Sequence, residues 1–81
     1  MDDFTVRIDD IYIPAKRRGA ADPAIVDALA ESILENGLQV PIGLRHDGKR
    51  YILVSGLHRL EACKALGEET ITAILVGARQ H

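Results

Sequence analysis

The stretch that most constrains the fold of this chain is Tyr51–Gly67, YILVSGLHRLEACKALG. It begins with an apolar run that is typical of a strand, and Ser55-Gly56 interrupts that run. Apolar residues then return at helical spacing until Gly67, at positions Leu57, Leu60, Cys63 and Leu66. The pattern predicts a strand, a tight turn and a helix over Leu57–Leu66.

The start of this helix has the chemistry of a phosphate site. Backbone N–H groups of a first helical turn have no intrahelical partner and lie at the positive end of the helix dipole. Gly56 allows a ligand to approach the backbone, and an exposed cation such as Arg59 is unfavourable there by roughly 0.3–1 kcal/mol unless an anion binds. We therefore predict a phosphate site at Gly56, Leu57, His58 and Arg59. The alternative is a surface Arg59 paired with Glu61 and a His58 that caps a carbonyl.

Length and composition limit the classes of protein to which the chain can belong. Its 81 residues predict one small domain over 1–81, and no run is long and apolar enough to span a membrane. The acidic N-terminus does not resemble a signal peptide, and the single cysteine favours a reducing compartment, so we expect the cytoplasm. The formal net charge of −2 implies that any contact with nucleic acid is local. The single cysteine and the three histidines show no ligand spacing, so we predict no metal site.

The N-terminal third predicts a strand followed by a basic loop. Residues 4–8 alternate apolar and polar side chains, as a half-buried strand does, and Ile11–Pro14 is a short extended piece. Lys16-Arg17-Arg18-Gly19 then places three cations side by side without periodicity. This segment is either a solvated loop or a loop over a bound polyanion, in which Arg17 or Arg18 would contact phosphate oxygens.

A helix is predicted to begin at Asp22-Pro23, with Asp22 as N-cap, and to end at Asn36-Gly37. Its apolar positions are predicted to face the core, and they are Ile25, Val26, Leu29, Ala30 and Ile33. An acidic stripe of Asp27, Glu31 and Glu35 is predicted to face water. The hydroxyl of Ser32 is a further candidate phosphate contact, if that flank of the helix faces the junction.

The second half of the chain predicts a hairpin and a closing strand. Asp47-Gly48 favours a two-residue turn, which would set Leu44 opposite Tyr51, Ile42 opposite Leu53 and Arg45 opposite Arg50. Residues 70–76 are rich in β-branched side chains and predict a last strand. Because strand–helix–strand crossovers normally give parallel pairs, we expect that strand beside Tyr51–Val54 or beside the first strand. The fold class is α+β, with a small mixed sheet and two main helices.

The order and spacing of four segments resemble the ParB N-terminal and sulfiredoxin-like superfamily, also described as the ParB-like nuclease domain. The segments are Ile8–Ile11 with Pro14 behind it, Gly37–Ile42, Ser55–Arg59 and Glu69–Ile71. The resemblance implies that a nucleotide's phosphates lie at the helix that begins with the Gly-x-His-Arg motif. The implied cofactor is a nucleoside triphosphate, CTP or ATP, with or without Mg²⁺.

Departures from the superfamily pattern restrict the function. Sulfiredoxins resemble this motif but carry their catalytic cysteine where this chain has Leu57, so sulfinic acid reduction is not expected. Partition proteins read Gly-Glu-Arg-Arg at the same place and continue into a second phosphate motif and a helix-turn-helix domain. Neither feature occurs in these residues, which leaves open that they are an excised N-terminal domain.

We therefore expect a nucleotide- or phosphate-binding ParB-like domain of a plasmid-partition or DNA-associated regulatory protein. One alternative is a phosphoryl-transfer enzyme of the same fold, a small-molecule kinase or a nuclease, whose catalytic residues the sequence does not identify. Its candidate carboxylates are Glu35, Asp47 and Glu61. A second alternative is a catalytically inert interaction domain. Nucleotide is the expected partner, and DNA contact through a basic patch or a C-terminal region, and a homodimer, are left open.

Overall fold

The computed structural model describes residues 3–38 and 40–77, which form one five-stranded mixed sheet and two α-helices. The elements, in chain order, are β1 (Phe4–Arg7), a 3-10 turn (Ile8–Asp10), β2 (Ile11–Tyr12), a second 3-10 turn (Ala15–Arg17), α1 (Pro23–Asn36), β3 (Ile42–His46), β4 (Tyr51–Ser55), α2 (Leu57–Ala65) and β5 (Thr70–Leu75). The predicted α+β class and the predicted mixed sheet are confirmed.

The strand order is β1-β5-β3-β4-β2. The last strand, β5, lies beside β1 as one of our alternatives had it, but this pair is antiparallel. The parallel partner of β5 is β3 rather than β4, because β3 lies between them. The crossover through α2 therefore passes over one strand before it returns to the sheet.

The predicted register of the β3–β4 hairpin is wrong. Leu44 lies opposite Leu53 and Arg45 lies opposite Ile52, with an irregularity between Gly43 and Leu44. The turn is displaced by one residue, because Asp47 N–H donates to Arg50 O at 3.2 Å and Asp47 Oδ1 accepts the backbone N–H groups of both Lys49 and Arg50, each at 3.0 Å. These bonds place Gly48-Lys49 at the tip of the turn in place of Asp47-Gly48, and this displacement moves every pair along the strands.

Helix α1 begins and ends as predicted, but its apolar stripe is mostly half-buried at the rim of the core and not inside it. Asp22 caps the helix, since its Oδ1 accepts the N–H of Ala24 at 2.9 Å, and Gly37 at φ +79° ends it. None of the helix residues is fully buried, and Ile25 of the predicted stripe is 46% exposed. The other members of the stripe are half-buried, and Ile33 packs against the core cluster. The reason is that α1 packs mainly against α2 and hardly touches the sheet.

The core lies between α2 and the sheet. Leu57, Leu60 and Cys63 of α2 pack in one cluster with buried residues of β1, β3, β4 and β5, which are Val6, Ile42, Leu44, Leu53, Ile71 and Ala73. Burial of these side chains fixes α2, and with it the β4–α2 junction, against the sheet. Across residues 3–38 and 40–77, neither helix has the length and apolar character that crossing a membrane requires.

Candidate functional site

A cleft of about 650 Å³ opens where β4 ends and α2 begins. The segment from β4 into α2 forms one side, and α1 with the loop before it forms the other. Its lining residues are Arg17, Ala20, Ile25, Leu29, Val54, Ser55, Gly56, Leu57, His58 and Arg59. The structure therefore brings together five of the residues that the sequence singled out: Arg17, Gly56, Leu57, His58 and Arg59.

Gly56 is the turning point of the junction. Its φ of +96° lies in the left-handed region, where residues with a side chain are strained. A Cβ atom built on it would lie 2.8 Å from Ile42 Cγ2 and 3.2 Å from Arg59 Nη2. Ile42 is fully buried and cannot move aside. Only glycine fits here, and its lack of a side chain leaves the backbone open to the cleft.

The first turn of α2 offers backbone donors to the cleft. The first intrahelical bond runs from Leu60 N–H to Gly56 O at 2.9 Å, so the amides of residues 57–59 precede the helical ladder. A glycine N-cap has no side chain with which to bind these donors. In α1 the Asp22 carboxylate fills this role. Of the two helix starts, the one at the cleft is the one without a built-in anion.

Two guanidinium groups add positive charge to the cleft. Arg17 donates from Nη1 to the carbonyl oxygen of Val54, which holds this side chain against the end of β4. That bond uses one of the five donors of a guanidinium. Arg59 is half-buried and lies over Gly56. Neither arginine has a carboxylate within ion-pair distance among the described residues, and none of the lining residues is acidic.

His58 is tied to α1 rather than free in the cleft. Its Nε2 accepts the backbone N–H of Asp22 at 3.0 Å, which requires a neutral ring with the proton on Nδ1. The bond joins the start of α1 to the first turn of α2. His58 therefore positions the two walls of the cleft, and only its Nδ1–H remains to contact a ligand. The imidazole caps a backbone group, as our alternative suggested, but by accepting an N–H instead of donating to a carbonyl.

Two sequence candidates lie elsewhere. Arg18 donates from Nε to Ile13 O at 2.9 Å and stacks on Tyr12, and it lines a different cleft along β2. Ser32 is exposed on α1 and is not among the described residues that line the cleft. The adjacent arginines thus separate, because Arg17 turns toward β4 and Arg18 turns back along its own loop.

The sequence did not reveal the apolar side of the cleft. The periodicity of α1 predicts that Ile25 and Leu29 face the core, yet both line the cleft. Val54 of β4 lines the same cleft from the sheet. The available signal was the number of apolar residues on α1. Six residues, Ile25, Val26, Leu29, Ala30, Ile33 and Leu34, cover more of the helix surface than one packed face needs. The cleft therefore has a polar, cationic end and an apolar wall.

The acidic and thiol groups that catalysis would need lie outside the cleft lining. Asp47 caps its hairpin loop, and Glu61 pairs with Lys64 at 3.5 Å. Burial raises the pKa of the Cys63 thiol, with a smaller effect from the charge of Glu68, and this direction disfavours the nucleophilic thiolate. The described residues contain no group of three or more His, Cys, Asp or Glu placed to hold a metal ion.

Comparison with known proteins matches this arrangement to a family. A family model of the ParB N-terminal domain matches residues 4–81. A probable chromosome-partitioning protein ParB from Campylobacter jejuni is 40% identical over 71 residues, which cover 86% of this chain and 26% of that protein. The chain thus spans about a quarter of the length of this curated relative.

Two solved structures share the fold. Sulfiredoxin from Arabidopsis thaliana superposes with a TM-score of 0.86 at 32% identity, covering 96% of this chain and 88% of its own. A C-terminally truncated chromosome-partitioning protein ParB from Caulobacter crescentus, complexed with CTP-gamma-S, has a TM-score of 0.80 at 22% identity. That match covers 98% of this chain and 46% of the other. The predicted ParB/sulfiredoxin-like fold is confirmed.

Proposed function

This chain belongs to the ParB N-terminal domain family, and from that premise we propose that the cleft at the β4–α2 junction binds the phosphates of a nucleotide. The observation that carries the proposal is the pair of guanidinium groups, Arg17 and Arg59, that line the cleft without a carboxylate partner among the described residues. Unpaired cations at a helix N-terminus are repelled by the positive end of the helix dipole. Bound phosphate would pair with the guanidinium groups and interact favourably with the dipole.

The roles of the lining residues follow from their positions. The amides of residues 57–59 and the Arg59 guanidinium would bind one phosphate group, and Arg17 would contact a second from across the cleft. His58 keeps α1 in place and offers Nδ1–H. The apolar wall of Ile25, Leu29 and Val54 suits the ribose or base. The solved ParB relative holds CTP-gamma-S, which supports a nucleoside triphosphate, CTP or ATP, as the ligand.

Binding rather than catalysis is the function that the cleft supports. A phosphoryl-transfer enzyme needs a base near its substrate, and none of the three candidate carboxylates lines the cleft. Glu35 is exposed on α1, and Asp47 and Glu61 are engaged elsewhere. A sulfiredoxin activity would need a thiol where the buried side chain of Leu57 stands. We also propose that residues 1–81 act as one domain of a partition or DNA-associated protein, which rests on the partial match to the Campylobacter relative.

Calorimetry with CTP, ATP, GTP and inorganic phosphate, with and without Mg²⁺, tests the proposal directly. Because a hydrogen bond to a charged group contributes about 1.5–3 kcal/mol, Arg59→Gln should weaken binding by roughly 10- to 100-fold. Arg7→Gln is the matched control, since it removes the same charge from an exposed arginine outside the cleft lining. Nucleotide binding that is equally strong in wild type, Arg59→Gln and Arg17→Gln would refute the site. Absence of binding by all four ligands would refute the function.

A further inference from the structure

A row of side chains crosses three strands on the face of the sheet away from α2. In the register, Tyr12 lies opposite Ile52, and Ile52 lies opposite Arg45. Residues paired in this way project from the same face. Ile52 is buried, yet it is outside the cluster that packs under α2. The row Tyr12–Ile52–Arg45 therefore belongs to the other face.

Two more arginines contact this row, because their guanidinium groups lie over the ring of Tyr12. Arg50 Cζ lies 3.9 Å from the centroid of the Tyr12 ring, and Arg18 Cζ lies 5.1 Å from it. One aromatic ring thus stacks with two guanidinium groups, which come from the hairpin loop and from the loop after β2. Tyr12, Arg18, Arg45 and Arg50 together are called the arginine–tyrosine surface below.

The arginine–tyrosine surface is positively charged although the chain carries a formal net charge of −2. Among the described residues, Arg18 and Arg45 have no carboxylate within 4.0 Å, and Arg50 has only Asp47, at 3.5 Å. The other oxygen of Asp47 accepts two backbone N–H groups of its own loop. Arg18 lies at the edge of the sheet, where Glu61 of α2 lines the same cleft but pairs with Lys64 at 3.5 Å. Both nearby carboxylates, Asp47 and Glu61, are therefore already occupied, and the local positive charge can attract an anion.

We propose that the arginine–tyrosine surface binds single-stranded nucleic acid. The guanidinium groups supply bidentate donors for successive phosphates, and a guanidinium stacked on tyrosine presents a flat face on which an unpaired base can stack. This row of strand side chains includes no helix that could enter a major groove, which disfavours a duplex. The surface shares no residue with the lining of the cleft, so it stands independently of the nucleotide site.

Fluorescence anisotropy with a labelled oligothymidylate, at a series of salt concentrations, measures this binding. The slope of log K against log salt is negative, and each phosphate contact that is lost should make it shallower by about 0.7. We expect that change in Arg45→Gln and in Arg50→Gln, together with weaker binding at every salt concentration. Tyr12→Leu should weaken binding while it keeps the charge. Circular dichroism and thermal unfolding of each variant establish that it is folded.

Arg7→Gln is the matched control. Arg7 is an exposed arginine on β1, at the opposite edge of the sheet, and its nearest carboxylate is Asp9 at 3.9 Å. It should leave affinity and salt slope unchanged. Equal losses in Arg7→Gln and Arg45→Gln would show that only the overall charge matters and would overturn the proposal. A duplex that binds as tightly as the single strand, or no binding at low salt, would also overturn it.

Discussion

Replacing Gly56 with alanine tests how tightly the β4–α2 junction is built. Two separate terms oppose the substitution. The left-handed backbone at φ +96° is unfavourable for an L-residue by about 1–2 kcal/mol. The new methyl group would also lie 2.8 Å from Ile42 Cγ2, inside van der Waals contact with a side chain that is 0% exposed. Overpacking of this kind costs about 1–3 kcal/mol.

Gly56→Ala should therefore lose about 2–5 kcal/mol of unfolding free energy, against a total of about 4–12 kcal/mol for a domain of this size. Since 1 kcal/mol corresponds to about 4–8 °C in a domain of 60–100 residues, the melting temperature should fall by at least about 8 °C. Urea unfolding followed by circular dichroism measures the free energy, and thermal unfolding checks it. Arg59 Nη2, 3.2 Å from the built Cβ, must also shift, so nucleotide affinity should fall in the fraction that remains folded.

Gly48→Ala separates the two terms. Gly48 has a nearly identical φ of +93°, but a Cβ built there meets nothing within 4 Å. This variant should show only the backbone term, about 1–2 kcal/mol. The difference between the two variants then measures the contact with Ile42. If Gly56→Ala and Gly48→Ala lose the same free energy, the junction has room for a side chain and our account of why it needs glycine is wrong.

Three further predictions concern single side chains. Burial raises the pKa of the Cys63 thiol, so its contribution to stability should be complete below the pKa of the unfolded thiol and should fall as the pH rises toward the folded value. The melting temperature of Cys63→Ala should therefore decline less steeply at alkaline pH than that of wild type. An equal decline in the two proteins would contradict this prediction. Hydrogen bonds from the N–H groups of Lys49 and Arg50 lower the pKa of Asp47, so Asp47 should stabilise the folded protein above the pKa of the unfolded carboxyl. This stabilisation should disappear as the pH falls through the folded value, where the melting temperatures of Asp47→Ala and wild type should converge. His58→Phe should lose about 0.5–1.5 kcal/mol of unfolding free energy and should speed hydrogen exchange at the Asp22 amide, because the His58–Asp22 bond is removed. His58→Gln should recover part of the stability and part of the protection from exchange. Equal exchange in wild type and in the two variants would argue against the bond.

Local signals in the sequence predicted the elements that depend on local chemistry. Asp22-Pro23 and Gly37 mark the ends of α1 because capping involves neighbours in the chain. The junction at Gly56 was recognisable for the same reason, since a strand, a glycine and a helical pattern follow one another directly. The family resemblance added the superfamily and the nucleotide as the expected ligand, which spacing alone did not supply.

The predictions that were wrong concerned features that depend on contacts between distant residues or on the choice between turn types. The apolar stripe of α1 gives its periodicity but not its partner, and a helix that packs on another helix buries less than one that packs on a sheet. The predicted hairpin register is wrong because Asp47 bonds to Lys49 and Arg50 and so places Gly48-Lys49, not Asp47-Gly48, at the tip of the turn. The separation of Arg17 from Arg18 depends on Val54 and Tyr12, which lie outside their own loop.

The bond between Arg17 and Val54 has a consequence for solubility as well as for the site. β2 pairs with β4 at Tyr51 and Ile52, so the last residues of β4 have no strand partner on the β2 side. This stretch is an edge at which a strand from another molecule could pair. The Arg17 guanidinium occupies the Val54 carbonyl there and places a charge across this edge. The same side chain that would hold a phosphate thus also discourages edge-to-edge association, and losing it would favour self-assembly.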